Sequence, residues 1–534
     1  MSLEDLLENR FGFPAFRPGQ REIVDHVARG HDALVVMPTG AGKSLCYQLP
    51  ALARGGLTLV VSPLIALMKD QVDSLVDKGI RATFLNSSID RTTYEARREA
   101  VQNGEVELLY VAPERFTPSF VRWVGGLDVR LFAVDEAHCL SQWGHDFRPD
   151  YLRLGRVRAK LGRPPAVALT ATATPEVQED IVQTLDLGSG RTFIRGFDRE
   201  NLVLEVVECS GKREKDTMLR DLVGQGPSLV YCATRKNVER ATAALREDGV
   251  RAGFYHAGLD PAQRSRIQED FMNDRVPVVV ATNAFGMGID KRDIRAIVHY
   301  DMPGTVEAYY QEIGRAGRDG RMSRATLLYH PIDRRIHEFF IDNAHPPADW
   351  VHRLYDWLTD QRANPVFATL ETLADALPPE AGDRAAASCL YILVREGMVR
   401  RIAPSDRSAW LQVVGQPTGA IAGHRKAVFE LAWERACDRA PEGVDGTGQA
   451  LQFHPDSWAR SLGLERDQLT AALRGLEERG LLRYRAADRT GGVELLQPGA
   501  TLTLDEPRMK QRRGREYAKL DKMERYAYAP CRRR

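Results

Sequence analysis

The chain has almost no net charge, no long apolar run and few cysteines. Lys plus Arg number 74 and Asp plus Glu 73 in 534 residues, so the formal charge is +1. A global positive field is thereby excluded as the means of holding an anionic partner, and nucleic-acid binding must use local basic patches. No stretch approaches the ~18 consecutive apolar residues of a membrane span. The opening MSLEDLLENRFGF is acidic early and lacks the apolar core of a signal peptide, which predicts a cytoplasmic protein without membrane contact. The seven cysteines are scattered, the closest two, Cys209 and Cys232, lying 23 apart. No Cys-x-x-Cys pair exists, so no structural zinc site is legible, and an odd, dispersed set fits reduced thiols. With 43% hydrophobic and 28% charged residues the composition is that of a globular protein, and the length suggests about three or four domains.

The first 340 residues alternate short apolar runs with helical segments such as FRPGQREIVDHVARG. The runs ALVVM (33–37), LTLVVS (57–62), VELLYVA (106–112), VRLFAVDE (129–136) and AVALTAT (166–172) follow one another. Their apolar character is continuous, as in strands buried on both faces of a parallel sheet. After about residue 195 the pattern restarts with SLVYCAT (228–234), RAGFYHAG (251–258), VPVVVAT (276–282), AIVHYDMP (296–303) and ATLLYH (325–330). The predicted fold class is α/β: two tandem doubly wound parallel-sheet domains, residues 1–195 and 196–344.

From about residue 345 helical patterns dominate, and two segments resemble each other at an offset of 83 residues. Leu390, Leu393, Gly397 and Arg400 in the first match Leu473, Leu476, Gly480 and Arg483 in the second. Each reads as a helix ended by Gly, an Arg-bearing strand, a turn and a second strand (AWLQVV and VELLQ). WVHRLYDWLTDQ and ATLETLADAL precede the first; HRKAVFELAWERACDRA and PDSWARSLGL precede the second. Three helices and a two-stranded wing describe a winged helix, so two mainly helical winged-helix domains are predicted in tandem, 345–417 and 418–500. PEGVDGTGQ (441–449) is a loop inside the second. Such modules bind DNA or mediate protein contacts; Arg400, Arg401, Arg483, Arg485 and Arg489 favour DNA, with one module open to a protein partner. The tail 501–534 is basic, with 11 Lys/Arg against 5 Asp/Glu.

Three segments carry chemistry. Thr39-Gly40-Ala41-Gly42-Lys43-Ser44 follows the run ALVVM directly. A Gly-rich loop at a helix N-terminus lets backbone N–H groups close around phosphates. Lys43 would reach the β and γ phosphates, and the Ser44 hydroxyl would ligate Mg²⁺. Met37 stands where the generic pattern has glycine. Asp135-Glu136-Ala137-His138 ends the run LFAV, and adjacent acids at a buried strand end are costly without a task. Asp135 is placed to hold Mg²⁺ and Glu136 to orient or deprotonate the attacking water. Gln311-Glu312-Ile313-Gly314-Arg315-Ala316-Gly317-Arg318 offers Arg315 and Arg318 from the second domain to the γ phosphate. Gly314 and Gly317 suit close packing against another surface.

With these in place the chain resembles a superfamily 2 helicase and, within it, the RecQ group, over about residues 7–335. Phe16-Arg17-Pro18-Gly19-Gln20 looks like the adenine-recognition motif, which implies base contacts from Arg17 and Gln20. Met37–Ser44 is similar to motif I, Ser62-Pro63-Leu64 to motif Ia, Asp135–His138 to motif II and Leu169–Ala173 to motif III. Tyr231–Arg235 resembles motif IV, Ala281–Asp290 motif V and Gln311–Arg318 motif VI. Ser141-Gln142-Trp143-Gly144-His145-Asp146-Phe147-Arg148-Pro149 resembles the aromatic-rich loop that marks the group. Aromatic faces and an Arg plane stack on unpaired bases without reading sequence, and beside motif II such a loop can report DNA to the ATP site.

The resemblance implies two RecA-like domains with ATP in the cleft between them. It assigns nucleotide contacts to Arg17, Gln20, Thr39, Gly40, Gly42, Lys43, Ser44, Asp290 and Gln311. It assigns DNA binding or coupling to Ser62, His138, Trp143, His145, Phe147, Arg148, Thr234, Arg235, Thr282 and Asn283. ATP with Mg²⁺ is the implied cofactor set, and single-stranded and tailed duplex DNA the implied partners. The implied activity is 3′ to 5′ translocation with duplex unwinding, by a DNA-associated monomer. The group carries a four-cysteine zinc module after its core; here KLDKMERYAYAPCRRR (519–534) looks like the start of that module, with Cys531 at the first ligand position, and no zinc is predicted. Other readings stay open: an RNA-acting relative, a translocase without unwinding, or a winged-helix binding protein with an ATP switch.

Overall fold

A computed structural model describes the chain apart from residues 1, 64, 87–88, 142–147, 197–198, 225, 287–288, 290, 362–363, 403–407, 417–419, 441–444, 487–490 and 531–534. Two compact units emerge: residues 1–336 together with 519–534, and residues 337–518. No described helix is long and apolar enough to cross a membrane.

The first unit holds two parallel sheets. One contains β1 (Ala33–Val36), β2 (Leu57–Val61), β3 (Ala82–Leu85), β4 (Leu108–Val111), β5 (Val129–Val134), β6 (Ala166–Thr170) and β7 (Arg191–Ile194), in the order β3-β4-β2-β5-β6-β1-β7. The other contains β8 (Leu202–Glu208), β9 (Ser228–Tyr231), β10 (Ala252–Tyr255), β11 (Val278–Ala281), β12 (Ala296–His299) and β13 (Ser323–Tyr329), in the order β10-β11-β9-β12-β13-β8. In the first sheet Val35, Val60, Tyr110, Ala133 and Leu169 enter one apolar core. Their neighbours Leu34, Val61, Val111, Phe132 and Ala168 enter the other. Both faces are therefore buried, which is why the runs are apolar without alternation. Each Val or Leu so buried contributes ~1.5–3 kcal/mol.

The sequence pattern identifies the central strands but not β3, β7 and β8. These are edge strands that are incompletely buried: Ala82 and Thr83 are half-buried in β3, Thr192 and Ile194 flank buried Phe193 in β7, and β8 is only half-buried. The first unit is completed from far along the chain. Residues 519–528, the end of helix Glu506–Tyr528, lie on the second parallel-sheet domain. Arg334 donates to Glu524 (2.6 Å) and pairs with Asp521 (2.8 Å), Tyr329 donates to Glu524 (3.2 Å), and the Tyr526 ring packs 5.0 Å from that of Tyr309.

In the second unit the expected helices form: Ala348–Asp360, Leu370–Asp375 and Asp383–Arg395, then His424–Cys437, Pro455–Leu462 and Arg466–Glu477. Gly397 and Gly480 end the third and sixth at φ of 71° and 70°. The strands are β14 (Val366–Phe367), β15 (Val399–Ile402), β16 (Ala409–Val413), β17 (Ala450–Phe453), β18 (Leu482–Arg485) and β19 (Gly492–Leu495). Their pairing corrects the expectation of two self-contained wings. β15 pairs with β19, not with its neighbour β16, and β16 pairs with β17 and β18. The two sheets are β14-β19-β15 and β17-β16-β18, so each takes a strand from the other half of the unit.

Burial explains the exchange. Val493 and Leu495 of β19 join Val399 and Leu390 in the core of the first three helices. Leu411 and Val413 of β16 join Leu451, Phe453 and Leu482 in the core of the second three. Arg400 sits directly opposite Glu494 and pairs with it, which marks the register by charge.

Candidate active site

β1 ends at Val36, and Met37 donates its N–H to the Thr170 carbonyl (3.1 Å), so the phosphate loop starts at the end of a strand held between β6 and β7. The loop turns at Gly40 and Gly42, whose φ angles of 82° and 83° favour glycine. Gln20 donates to the carbonyls of Ala41 (3.0 Å) and Gly42 (3.1 Å) and accepts from the Arg17 N–H (2.8 Å). Arg17 donates to the Gly40 carbonyl. A Cβ on Gly42 would lie 2.3 Å from the Gln20 amide nitrogen, so glycine is what permits this approach. The Lys43 ammonium donates to the carbonyls of Met37 (3.2 Å) and Pro38 (3.3 Å). Burial lowers its pKa, opposed by Glu136 and Asp135. Ser44 precedes helix Leu45–Arg54, and its hydroxyl accepts from Gln71 (3.3 Å).

β5 delivers the two acids. Asp135 donates its N–H to the Val61 carbonyl (2.8 Å) and its carboxylate accepts the Glu136 N–H (2.9 Å). Burial and the adjacent Glu136 raise the Asp135 pKa, while Lys43 opposes them. Glu136 sits at φ 48°, ψ 47°, a left-handed conformation that costs a non-glycine residue about 1–3 kcal/mol and is characteristic of functional sites. Its Oε2 lies 3.3 Å from His138 Nδ1, which is 3.0 Å from Thr170 Oγ1. Thr170 in turn donates to the Thr172 carbonyl (3.0 Å). With its own hydrogen so committed, Thr170 accepts from His138, which places a proton on Nδ1 beside Glu136.

The donor set fits Mg²⁺. A serine hydroxyl and a carboxylate are hard oxygen ligands, and Mg²⁺ binds through one or two carboxylates with substrate phosphates rather than in an all-protein cage. No group of three or more His, Cys, Asp or Glu side chains suited to a metal occurs among the described residues.

The second parallel-sheet domain meets this loop through the segment after helix Val306–Ile313. A Cβ on Gly314 would lie 3.0 Å from the Thr39 Cβ, so the Thr39 side chain rests directly against the Gly314 backbone. Arg318 passes 3.4 Å from the Cβ position of Gly40 and donates to the Ile289 carbonyl (3.0 Å). Arg315 is buried and donates to the Gly286 carbonyl, beside Tyr231. Of the two arginines expected at the γ phosphate, Arg318 thus lies on the phosphate loop and Arg315 points into its own domain.

Comparison with known proteins agrees with this geometry. The DEAD/DEAH box helicase family matches residues 17–181, and the helicase conserved C-terminal domain matches residues 214–320. The ATP-dependent DNA helicase RecQ of Pasteurella multocida is 46% identical over 354 residues, which is 66% of this chain and 56% of that protein. The probable ATP-dependent DNA helicase RecS of Bacillus subtilis is 43% identical over 344 residues, 64% of this chain and 69% of that protein. The chain belongs to the RecQ family of superfamily 2 helicases.

It spans 53–58% of the length of the three RecQ proteins it matches from P. multocida, Haemophilus influenzae and B. subtilis. Mss116p bound to single-stranded RNA and AMP-PNP shares the fold at a TM-score of 0.53 and 16% identity, covering 64% of this chain and 77% of its own. The two parallel sheets are accordingly the RecA-like pair of the RecQ core.

Other positions suggested by the RecQ motifs are spread more widely. Trp143, His145, Phe147 and Asp290 lie outside the described residues. Arg148 donates its N–H to the Cys139 carbonyl (3.0 Å) and its guanidinium to the Pro63 carbonyl (2.8 Å), tying the end of the aromatic-rich stretch to motif Ia. Ser62 is buried, its N–H on the Val111 carbonyl (3.2 Å). Thr234 caps helix Arg235–Glu247 through the Asn237 N–H (3.1 Å), and Arg235 opens that helix. Thr282 accepts from the Ala284 N–H (3.4 Å), Asn283 is exposed, and Gln311 lies in the last turn of its helix.

Sequence reasoning missed Gln71 and Arg199. Gln71 bridges Ser44 to Gln48 (2.8 Å), and Gln48 donates on to the buried Tyr110 hydroxyl (3.3 Å). Arg199, in the connection between the two sheets, donates to the carbonyls of Thr39, Ala316 and Gly317. Both act on groups outside their own segment, so no local spacing marks them.

Proposed function

We propose that this chain is an ATP-dependent DNA helicase of the RecQ type, which couples ATP hydrolysis to 3′ to 5′ translocation on single-stranded DNA and to duplex separation in DNA repair and recombination. The observation that carries this reading is the meeting of Lys43, Ser44, Asp135 and Glu136 on one RecA-like domain with Arg318 from the other. Mg²⁺, held by Ser44 and Asp135 with the nucleotide, would offset charge on the β and γ phosphates. Lys43 exchanges its loop carbonyls for phosphate oxygens. Glu136 takes a proton from the attacking water as its oxygen bonds to the γ phosphorus and the bond from that phosphorus to the ADP oxygen breaks, with His138 beside the carboxylate. Arg318 balances the charge that builds on the γ phosphoryl oxygens. Arg17 and Gln20 brace the loop and serve the adenine, with Asp290 and Gln311 contributing from the second domain.

DNA would be held chiefly through phosphates, by Thr234, Arg235, Thr282 and Asn283 among others, with steep salt dependence and little sequence preference. Trp143, His145, Phe147 and Arg148 would stack on unpaired bases, and the Arg148–Pro63 tie would pass that contact to motif Ia. Each half of residues 337–518 is read as a winged helix whose last wing strand comes from the other half. Arg401 and Arg483 would face DNA there, while Arg400 is engaged with Glu494 and Arg485 lies 4.3 Å over the Phe367 ring. We read the protein as a cytoplasmic, DNA-associated monomer that works without zinc.

The test is ATP turnover with and without single-stranded DNA, beside unwinding of a 3′-tailed duplex, for wild type and Trp143→Ala. Strong stimulation that Trp143→Ala loses while still binding DNA is the expected result. Turnover indifferent to DNA overturns the reading; stimulation without strand separation reduces it to a translocase.

A further inference from the structure

Arg199 and Asn201 belong to none of the helicase motifs, yet they lie on the seam between the two RecA-like domains. Arg199 Nη1 donates to the Thr39 carbonyl (3.3 Å). Its Nη2 donates to the carbonyls of Ala316 (3.0 Å) and Gly317 (2.8 Å), and its Nε to Asn201 Oδ1 (3.3 Å). Asn201 Nδ2 donates to Gly317 (2.8 Å) and to the Arg321 carbonyl (2.9 Å). One planar guanidinium thus bridges the phosphate loop and the motif VI loop, a task for a rigid fork of donors that a lysine ammonium cannot reproduce.

The bonded carbonyls stand next to the groups that matter. The Thr39 carbonyl shares its peptide plane with the Gly40 N–H, and in a trans peptide the two point in opposite directions. A donor on that carbonyl therefore turns the Gly40 N–H away from Arg199. The Gly317 carbonyl shares its plane with the N–H of Arg318. Gly317 has φ 58°, and a Cβ there would lie 2.5 Å from Asn201 Nδ2, so glycine is needed for the amide to reach it. Gly314 against Thr39 continues the same seam.

We propose that Arg199, steadied by Asn201, is a positioning residue that pins the motif VI loop to the phosphate loop and so sets how Arg318 meets the γ phosphate. The proposal rests on the ATPase reading above. It acts through loop carbonyls and not on the nucleotide itself, so it governs turnover more than ATP binding.

The experiment compares wild type, Arg199→Ala, Arg199→Lys and Asn201→Ala as full chains, by steady-state ATP hydrolysis with oligo-dT. Arg199→Ala is expected to lower kcat by roughly 10- to 100-fold, the scale of a displaced catalytic group. KM for ATP should stay within about twofold, since uniform binding is untouched. Arg199→Lys should not restore kcat, and Asn201→Ala should fall between wild type and Arg199→Ala. A raised KM with unchanged kcat, or rescue by lysine, overturns the pin. Hydrogen exchange of the 314–321 amides decides independently of turnover. Faster exchange in Arg199→Ala and Asn201→Ala supports the pin and equal exchange rejects it, whereas an inert wild type counts only against the helicase reading. Should Arg199→Ala fail to fold, Asn201→Ala carries the same two readouts.

Discussion

The two parallel sheets of residues 1–336 and the two antiparallel sheets of residues 337–518 encode themselves differently. Each central parallel strand is buried on both faces, so its own residues announce it. Of the antiparallel strands, β15, β16, β18 and β19 are equally visible one by one, yet their partners are not. β15 and β16 are adjacent in sequence and end in different sheets, while β15 and β19 pair across about 90 intervening residues. A strand's existence is a local property; its partner is chosen by which core its apolar side completes.

Variants can break this contrast, beginning with the largest effect. Glu136→Gln should lower kcat for ATP by about 10²–10⁴-fold, the range for losing a positioned base, with the melting temperature held. Turnover near wild type would show that the carboxyl end of β5 is not the catalytic edge. Next is Lys215→Met. Lys215 is buried, donating to the Tyr300 carbonyl (2.6 Å) and to Asp333 (2.7 Å). Its loss leaves Asp333 buried without its counter-ion and should destabilise the first unit by ~3–5 kcal/mol in denaturant unfolding.

Val493→Asp tests the strand exchange. It places a carboxylate where the side chain is 2% exposed and should cost about 2–4 kcal/mol. The exchange assigns that loss to residues 348–402, so amide protection there should fall before protection at 424–485. The reverse order would refute the pairing of β19 with β15. Arg400→Ala removes an exposed cross-strand pair with Glu494 and should change stability by less than about 1 kcal/mol. Smallest of all is thiol labelling at pH 8. Cys437 is exposed and should alkylate in the folded protein. Cys46, under the phosphate loop, should not, because burial pushes its thiol up to about 12 and keeps it protonated.

Legibility followed the same division. Lys43, Ser44, Asp135 and Glu136 stand where chemistry restricts residue type, at the ends of strands whose apolar runs fix their position. Edge strands β3, β7 and β8 escaped notice because a half-exposed strand loses the continuous apolar signature. Arg199 and Gln71 could not be read, since an arginine bonded to distant carbonyls looks in sequence like any solvated arginine. Ser62, expected near DNA by resemblance, is packed below the surface by its N–H bond to Val111, a depth that a motif does not record.

The return of residues 519–528 to the first unit has a consequence for how the chain is made. Tyr526 meets Tyr309 across 217 residues, and Glu524 meets Arg334 across 190. On the ribosome, where domains fold as they emerge, all of residues 337–518 must be synthesised before those partners exist. The second body can therefore fold while the first still lacks residues 519–528, and the helicase core is closed by a segment made after that body.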